Sequence, residues 1–354
     1  MAPDTDDLRA AVAAGILTEA QAAGVIALAQ SRAGHRTALP LEDEPFELFR
    51  GFAEIFVSTG IILVFAGVML GASVLGGAAL PAVAVVLSVG MARYFTLKRR
   101  MVLPSVVLTI AFSIGGAALM ALFLGIETDR FPQDRWRFVI FCLIGIAGLA
   151  GWFRAFRVPF TMVPLGLLGA ALTYLMVDWI RPYNDLRGWE YLFDLRSGSA
   201  MALATLIFGL LALLAGLVFD MRDPHRLGRM SATGFWLHIL SAPALVNTVA
   251  LTAYNAEGLT GYALLAVALA AVAVLALVID RRSFLTAGIA WLGILVGWAI
   301  SADESAGSFA LLLLILGGFL TFMGTYWTGL RAGLMRALPE FPGKRRLPPY
   351  AEIP

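Results

Sequence analysis

The sequence is dominated by a series of long apolar segments separated by short polar connections. A helix of about 20 residues spans the roughly 30 Å hydrocarbon core of a bilayer, so each segment predicts one membrane-spanning helix. We predict ten spans, at residues 53–74, 78–95, 102–125, 138–153, 159–178, 200–219, 231–252, 259–279, 284–302 and 307–327. The pattern therefore predicts an all-α fold, a polytopic transmembrane helical bundle.

Composition excludes a water-soluble fold. Of the 354 residues, 60% are hydrophobic and only 14% are charged, whereas soluble domains carry about 25% charged residues. The apolar segments do not alternate apolar and polar residues, which excludes an outer-membrane barrel. The single cysteine, Cys142, excludes an intramolecular disulfide and a thiolate metal site.

The polar ends of the chain divide it into four parts. Residues 1–36 predict a small helical hairpin, 37–52 an acidic interfacial linker, 53–328 the transmembrane domain and 329–354 a basic tail. In the hairpin, Gly15 suits the left-handed end of a first helix, and Thr18 with Gln21 forms a capping box for a second. Its core is too small to be stable alone. We therefore expect residues 5–32 to bind a second copy, a cytoplasmic protein or the membrane domain.

Lys and Arg side chains are concentrated in alternate connections. Connections 76–77, 255–258 and 303–308 carry neither residue, and two longer loops on the same side carry mixed charge. The opposite side has Lys98, Arg99, Arg100, Arg154, Arg157, Arg222, Arg226, Arg229, Arg281, Arg282, Arg331, Arg336, Lys344, Arg345 and Arg346. Because Lys and Arg favour cytoplasmic loops, we predict that both termini are cytoplasmic.

An internal period accompanies this charge pattern. The odd-numbered spans each begin just after an arginine, at intervals of 50 to 72 residues: Arg50, Arg100, Arg157, Arg229 and Arg282. The spacing suggests five tandem helical hairpins. Either an ancestral repeat or the alternation of basic loops alone would produce it.

The stretch 229–252 is the most unusual span because it holds His238, the only ionisable side chain well inside an apolar run. Small and polar residues recur there at steps of three and four, which places them on one helix face: Ser231, Gly234, His238, Ser241, Leu245, Thr248 and Thr252. One interpretation is close helix packing through this seam. The other is a proton or ligand site.

Pro243 and Asn247 complete this candidate polar intramembrane site. Proline lacks an N–H, so the carbonyl of Ile239 loses its helical partner and we expect a kink. That carbonyl, close to His238 and Ser241, is a candidate ligand for a cation or water, although most such prolines only bend helices. Asn247 lies on the opposite side of the helix from His238.

Four carboxylates near span ends are secondary features. Glu54 is either a coupling carboxylate or a partner of Arg50, one turn earlier. Asp178 opens the outer loop 178–198, where carboxylates mix with arginines and aromatic residues, and where we expect an interfacial helix. Asp220 and Asp280 each lie within two residues of an arginine and predict local interfacial ion pairs: Asp220 with Arg222, and Asp280 with Arg281.

The layout resembles a family of predicted bacterial multi-pass integral membrane proteins of unassigned function. The resemblance is carried by the hairpin pattern AAGILTEAQA, the acidic linker, the hairpin-rich membrane domain and the basic, proline-rich end LRAGLMRALPEFPGKRRLPPY. It implies a bacterial inner-membrane location and supplies no site residues.

No catalytic motif, paired metal ligands or nucleotide-binding loop is present, so we expect neither enzymatic activity nor a cofactor, metal or nucleic acid. No Asp, Glu, Lys or Arg lies in the middle of a span, which argues against a strongly driven transporter. A passive permease or flippase for a small or amphiphilic solute is favoured. The alternatives are a scaffold or sensor that binds partners through residues 5–32, and an enzyme on lipid-linked substrates. Anionic lipid is the predicted partner of the basic tail.

The charge pattern predicts that Glu257 faces the side opposite both termini. A reporter that is active only in the cytoplasm should therefore be inactive when fused at Glu257 and active when fused after Pro354. Cytoplasmic activity of the Glu257 fusion would show that the predicted topology is wrong.

Overall fold

A computed structural model gives the structure of this chain and describes residues 11, 14–17, 21, 25, 52–72, 74, 77–126, 134–180, 190–223, 226, 229–256, 258–300, 306–348 and 350. The chain divides into two compact units, Met1–Pro45 and Phe46–Pro354. Most of the predicted hairpin 5–32, the acidic linker before Phe52 and the loop residues 181–189 lie outside the described residues. In the first unit, Gly15 has the predicted left-handed backbone, with a φ of 70°.

The described residues of the second unit form eleven α-helices. They are α1 (Phe52–Ala72), α2 (Ala79–Ala92, continued by a π-helical turn over Arg93–Lys98), α3 (Val102–Leu124), α4 (Arg135–Phe156), α5 (Met162–Ile180, preceded by a 3-10 turn over Pro159–Thr161), α6 (Glu190–Phe193), α7 (Ala200–Asp220), α8 (Arg229–Tyr254), α9 (Gly258–Ile279), α10 (Ser283–Ala299) and α11 (Ala306–Ala337).

The all-α class is confirmed, since the described ranges contain helices and no strand. Within them, nine helices are long and apolar enough to cross a membrane. The helix in place of the ninth predicted span, α10, is apolar but has only 17 residues. The ten predicted spans thus correspond to nine full-length candidates and one shorter helix.

Contacts along α10 show how far this short helix extends. At its start, in the α9–α10 turn, Asp280 Oδ1 accepts a hydrogen bond from Trp327 Nε1 of α11 at 2.7 Å. At its end, the ring of Trp298 stacks on Tyr262, near the start of α9, with centroids 4.3 Å apart. The two ends of α10 thus lie beside the two ends of α9. The 17 residues of α10 therefore cross nearly the same depth of the bundle as α9 does.

Two helices are longer than the hydrophobic pattern predicts. α4 covers 135–156 instead of 138–153, and α11 continues through residues 328–337, so the start of the predicted basic tail is helical. Arginines lie in both extensions. Their aliphatic stems can cover apolar surface while the guanidinium reaches a polar group, so a charged residue need not end the helix.

Turns at the basic end of the bundle differ from those at the opposite end. The non-glycine residues with a positive φ in the described part of the chain are Arg100, Arg157, Arg226 and Asp280, all in connections at the basic end. Left-handed backbone costs an L-residue about 1–2 kcal/mol. Arg226 and Asp280 form an ion pair with each other at 3.1 Å, so side-chain contacts help to hold both turns.

The apolar core has two parts. One part lies among the four helices α1, α2, α3 and α4, around Leu108 and Trp152. The other joins α7 to α11 around Leu265, Phe284 and Trp327. All of these side chains are at most 3% exposed, and the second part surrounds the helix that carries the candidate site.

Candidate functional site

The most buried helix of the bundle is α8, the stretch that carries His238. In its most apolar 18-residue window, 61% of the residues are buried, compared with 6% to 39% for the other candidate spans. It packs against α5, α7, α9 and α10. The predicted seam lies inside the protein: Ser231, Gly234, His238, Ser241, Leu245 and Thr248 are buried, and Thr252 is partly buried. A helix this polar is therefore placed at the centre of an apolar bundle.

Two glycines bring α7 and α8 together at the basic end. A Cβ atom on Gly216 of α7 would lie 2.7 Å from Cε1 of His238. A Cβ atom on Gly234 of α8 would collide with Oδ1 of Asp220. Each glycine makes room for a polar side chain of the opposite helix. The seam therefore packs closely, as one interpretation predicts, and the same packing places His238 beside Asp220.

Asp220, His238 and Arg281 form a buried cluster, which we call the inner cluster. The Nε2–H of His238 donates to Asp220 Oδ2 at 2.9 Å. Arg281 donates to the same oxygen through Nε at 3.1 Å and to Asp220 Oδ1 through Nη2. The exposed fractions of Asp220, His238 and Arg281 are 2%, 0% and 1%. Three segments meet at this carboxylate: the end of α7, the part of α8 around His238, and the α9–α10 turn.

The rest of the inner cluster's surroundings combines one hydroxyl with aromatic rings. Arg281 Nη2 also donates to the backbone oxygen and to Oγ of Ser231, at 3.0 and 3.3 Å. The guanidinium lies 5.9 Å from the ring of Phe235, and the His238 ring meets Phe284 edge-on at 6.0 Å. Bidentate contact with a carboxylate is the strongest arrangement available to an arginine.

Burying these charges has a large electrostatic cost. Removing an ion from water costs several kcal/mol even after the protein relaxes, and mutual attraction offsets that cost only in good geometry. Asp220 and Arg281 meet this condition through two parallel contacts. Apolar side chains of similar size would often be as stable or more stable. Removing one partner of the inner cluster is therefore expected to be strongly destabilising, because the other charge would stay buried without its partner.

Asp280, the neighbour of Arg281, belongs to a second group of contacts, the outer-ring cluster. Its carboxylate accepts from Trp327 Nε1 of α11 and pairs with Arg226 at 3.1 Å and with Arg331 Nε at 3.6 Å. Its side chain remains 18% exposed. Asp280 and Arg281, which are consecutive in the α9–α10 turn, thus belong to two separate ionic clusters. Contacts on both sides therefore hold this turn in place.

The predicted local ion pairs are wrong. Asp220 pairs with Arg281, 61 residues away, and not with the nearby Arg222. Asp280 pairs with Arg226 and Arg331, and not with Arg281. Side chains one or two positions apart on a helix do not face each other, so residues adjacent in sequence were poor candidates for partners.

The four residues of the predicted polar site are only partly brought together. Ser241 Oγ donates to the backbone oxygen of His238 at 3.2 Å, one turn away. α8 continues through Pro243 to Tyr254 as one uninterrupted helix. Asn247 belongs to another contact, since its Oδ1 accepts from Trp291 Nε1 of α10 at 3.0 Å. Asn247 thus joins α8 to α10, on the face expected from the spacing.

The secondary candidates have structural contacts. Glu54 is 5% exposed, and its two carboxylate oxygens accept from the backbone N–H groups of Val102 and Leu103, each at 3.0 Å. It therefore caps the start of α3, where a negative charge is favoured by the helix dipole. Arg50 lies outside the described residues. Asp178 pairs with Arg135 at 3.3 Å and joins α5 to α4.

The opposite end of α8 is held by a carboxylate and a hydroxyl that accept from neutral donors. Asp194, 6% exposed, accepts from Asn255 Nδ2 at 2.9 Å and from the backbone N–H of Arg196 at 2.8 Å. Thr252 Oγ1 accepts from the backbone N–H of Leu195 at 3.0 Å. The segment before α7 is thereby fixed to the last turn of α8. Among the other carboxylates of the outer loop 178–198, Glu190 is exposed and Asp185 lies outside the described residues.

Comparison with known proteins gives no match: no family model, no curated protein and no solved structure matches this chain. The family resemblance of the layout therefore stays a prediction. What stands is the coarser result, an all-helical protein with several helices apolar enough for a membrane. Across the described residues, no three His, Cys, Asp or Glu side chains are grouped so that they could hold a metal ion.

The close approach at Gly216 predicts a specific stability effect. Gly216→Ala places a methyl group against the His238 ring and should lower the free energy of unfolding by about 1–3 kcal/mol, the usual cost of overpacking. Gly148→Ala on α4 is the matched control, because no atom lies within 4 Å of its Cβ position. Unfolding of both variants in the same detergent measures the difference. Equal stabilities would contradict the packing of His238 on Gly216.

Proposed function

We propose that this protein is a permease or flippase for a small or amphiphilic solute, and that α8 lines its path. The observation that carries the proposal is the placement of a polar helix at the centre of an apolar bundle, closed by polar contacts at both ends. Polar groups inside a membrane domain are costly and usually face a cavity or a partner group. A bundle that served only as an anchor would not require them.

The inner cluster is the gate at the basic end. Its contacts depend on geometry, because separating Asp220 from Arg281 without rehydrating them would leave two unpaired buried charges. Partial opening is therefore unfavourable, whereas full opening exposes both groups to water. Two well-separated states are what a gate requires, since packed ionic interfaces switch between discrete arrangements.

The opposite gate is the set of contacts around Asp194. It contains one carboxylate with neutral donors, in contrast to the paired charges of the inner cluster. Opening it breaks hydrogen bonds worth about 0.5–1.5 kcal/mol each when neutral and about 1.5–3 kcal/mol each when charged. The two ends of the path therefore differ in the cost of opening, and the inner cluster is the more strongly closed.

The proposed setting is a bacterial inner membrane, with the basic end of the bundle and both termini in the cytoplasm. The positive-inside rule supports this orientation. Residues 5–32 are proposed to bind a second copy or a cytoplasmic protein. Anionic lipid remains the proposed partner of the basic tail, but only through its exposed residues such as Arg336 and Arg346, because Arg331 and Lys344 are buried in protein contacts.

Flux across liposomes tests this function. Purified protein would be reconstituted into vesicles of phosphatidylethanolamine and phosphatidylglycerol. Vesicle swelling in glycerol reports passage of a small solute, and dithionite quenching of a fluorescent phosphatidylglycerol reports flipping. Either rate should exceed that of protein-free vesicles. Arg281→Gln removes the contact that closes the gate and should raise that rate by about tenfold. A change of 1.4 kcal/mol in the free energy of opening changes the open population tenfold.

Two variants control this experiment. Arg281→Lys keeps the charge but loses the bidentate contact, and should give an intermediate rate. Arg222→Gln removes an exposed arginine close to Asp220 in sequence and should leave the rate unchanged. If folded, monodisperse protein shows neither swelling nor flipping above background, the permease proposal fails. A scaffold or sensor acting through residues 5–32 is then the better account.

A further inference from the structure

The C-terminal residues fold back on the basic end of the bundle. Residues 338–348 together with Tyr350, which we call the C-terminal strap, follow α11 and include a 3-10 turn over Lys344–Arg346. Lys344 is 4% exposed and Leu347 is 8% exposed. A lysine this buried must have protein partners, since an isolated ammonium out of water is very costly. The strap is therefore packed against protein along part of its length.

Arg331 of α11 is the main anchor of the strap. It is 3% exposed. Its Nη2 donates to the backbone oxygen of Pro348 at 2.6 Å, and its Nε donates to the backbone oxygen of Leu277 at 3.1 Å. The same Nε lies 3.6 Å from Asp280 Oδ1. One guanidinium thus joins the strap to the end of α9 and to the outer-ring cluster.

Tyr350 adds a second contact between the strap and Arg331, and Lys344 joins residues of the strap to one another. The Tyr350 ring contacts two cations, 6.0 Å from the Arg331 guanidinium and 5.9 Å from Lys344 Nζ. Lys344 Nζ also donates to the backbone oxygen of Leu338 at 2.8 Å. Cation–π contacts of this kind contribute about 0.5–2 kcal/mol, more when they are shielded from water.

The strap also reaches the segment that carries Asp220. A Cβ atom on Gly343 would lie 3.6 Å from Sδ of Met221, so the backbone turn of the strap lies directly against the residue after Asp220. Gly343 has a φ of 93°, which favours glycine at this turn. The strap therefore touches both segments that meet in the inner cluster: the end of α7 through Met221, and the α9–α10 turn through Arg331 and Asp280.

We infer that the C-terminal strap is a latch that keeps the inner cluster closed. Separation of Asp220 from Arg281 requires the end of α7 to move relative to the α9–α10 turn. The strap lies against one segment and is joined by Arg331 to the other, so the inner cluster opens only after the strap leaves. The inference rests on the proposed function only for its effect on flux. The latch itself is tested without any transported solute.

The test measures how readily Ser231 is reached from the basic end, because Ser231 is 2% exposed and contacts Arg281. In a Cys142→Ser background, a single cysteine replaces Ser231 and is labelled with a membrane-impermeant maleimide in inside-out vesicles. Removal of residues 341–354 should raise the labelling rate by about tenfold or more, because labelling follows the open fraction. Tyr350→Ala in the full chain should raise it less. Arg346→Ala changes an exposed residue of the same strap and should leave the rate unchanged.

A single cysteine at the exposed Arg222 is the positional control, and its labelling rate should be the same with and without residues 341–354. An unchanged Ser231 rate after removal of these residues overturns the latch. Equal effects at Ser231 and Arg222 also overturn it, because they indicate general loosening. If the labelling test confirms the latch while liposome flux stays at background, the inference about the strap stands and the permease proposal fails.

Discussion

The Asp220 carboxylate is the constraint on which the basic end of this structure depends. It is almost fully removed from solvent, and a buried carboxylate is tolerated only when opposite charge and hydrogen-bond donors surround it. The donors come from two other segments, His238 from α8 and Arg281 from the α9–α10 turn. Gly216 and Gly234 permit the approach, since a side chain at either position would displace the ring or the carboxylate.

Other features of the basic end follow from that arrangement. Because Arg281 turns inward, its neighbour Asp280 turns toward α11, where it meets Arg226, Trp327 and Arg331. Arg331 in turn holds the C-terminal strap through Pro348. A chain of charged contacts thus connects the centre of the bundle to its cytoplasmic surface in the proposed orientation. Each link joins different helices, so movement at one link disturbs the next.

The sequence was most informative where a pattern reflects burial in a membrane. Segment length gave the helical class and the positions of the spans, and the three-and-four spacing around His238 gave the face that packs on α7. These predictions succeed because helix geometry alone determines them.

Ion pairs between residues distant in sequence could not be predicted in the same way. Asp220 and Arg281 both lie at span ends, where charges usually reach water, and nothing in their spacing indicates which helices are neighbours. The contacts of Glu54 were missed for a similar reason, because they are made with the backbone N–H groups of α3, 48 and 49 residues away. The lengths of α4 and α11 were underestimated because arginine stems can cover apolar surface and so allow a helix to continue beyond its apolar residues.

A double-mutant cycle between Asp220 and Arg281 tests the central claim most directly. Asp220→Asn, Arg281→Gln and the double variant would be compared by their free energies of unfolding in bicelles. A buried, bidentate pair predicts a coupling energy of about 2 kcal/mol or more, within the range for close charge pairs. The double variant should therefore lose less stability than the sum of the losses of the two single variants. The same cycle with Arg222→Gln should give a coupling near zero. No coupling between Asp220 and Arg281, or a larger coupling between Asp220 and Arg222, would contradict the account.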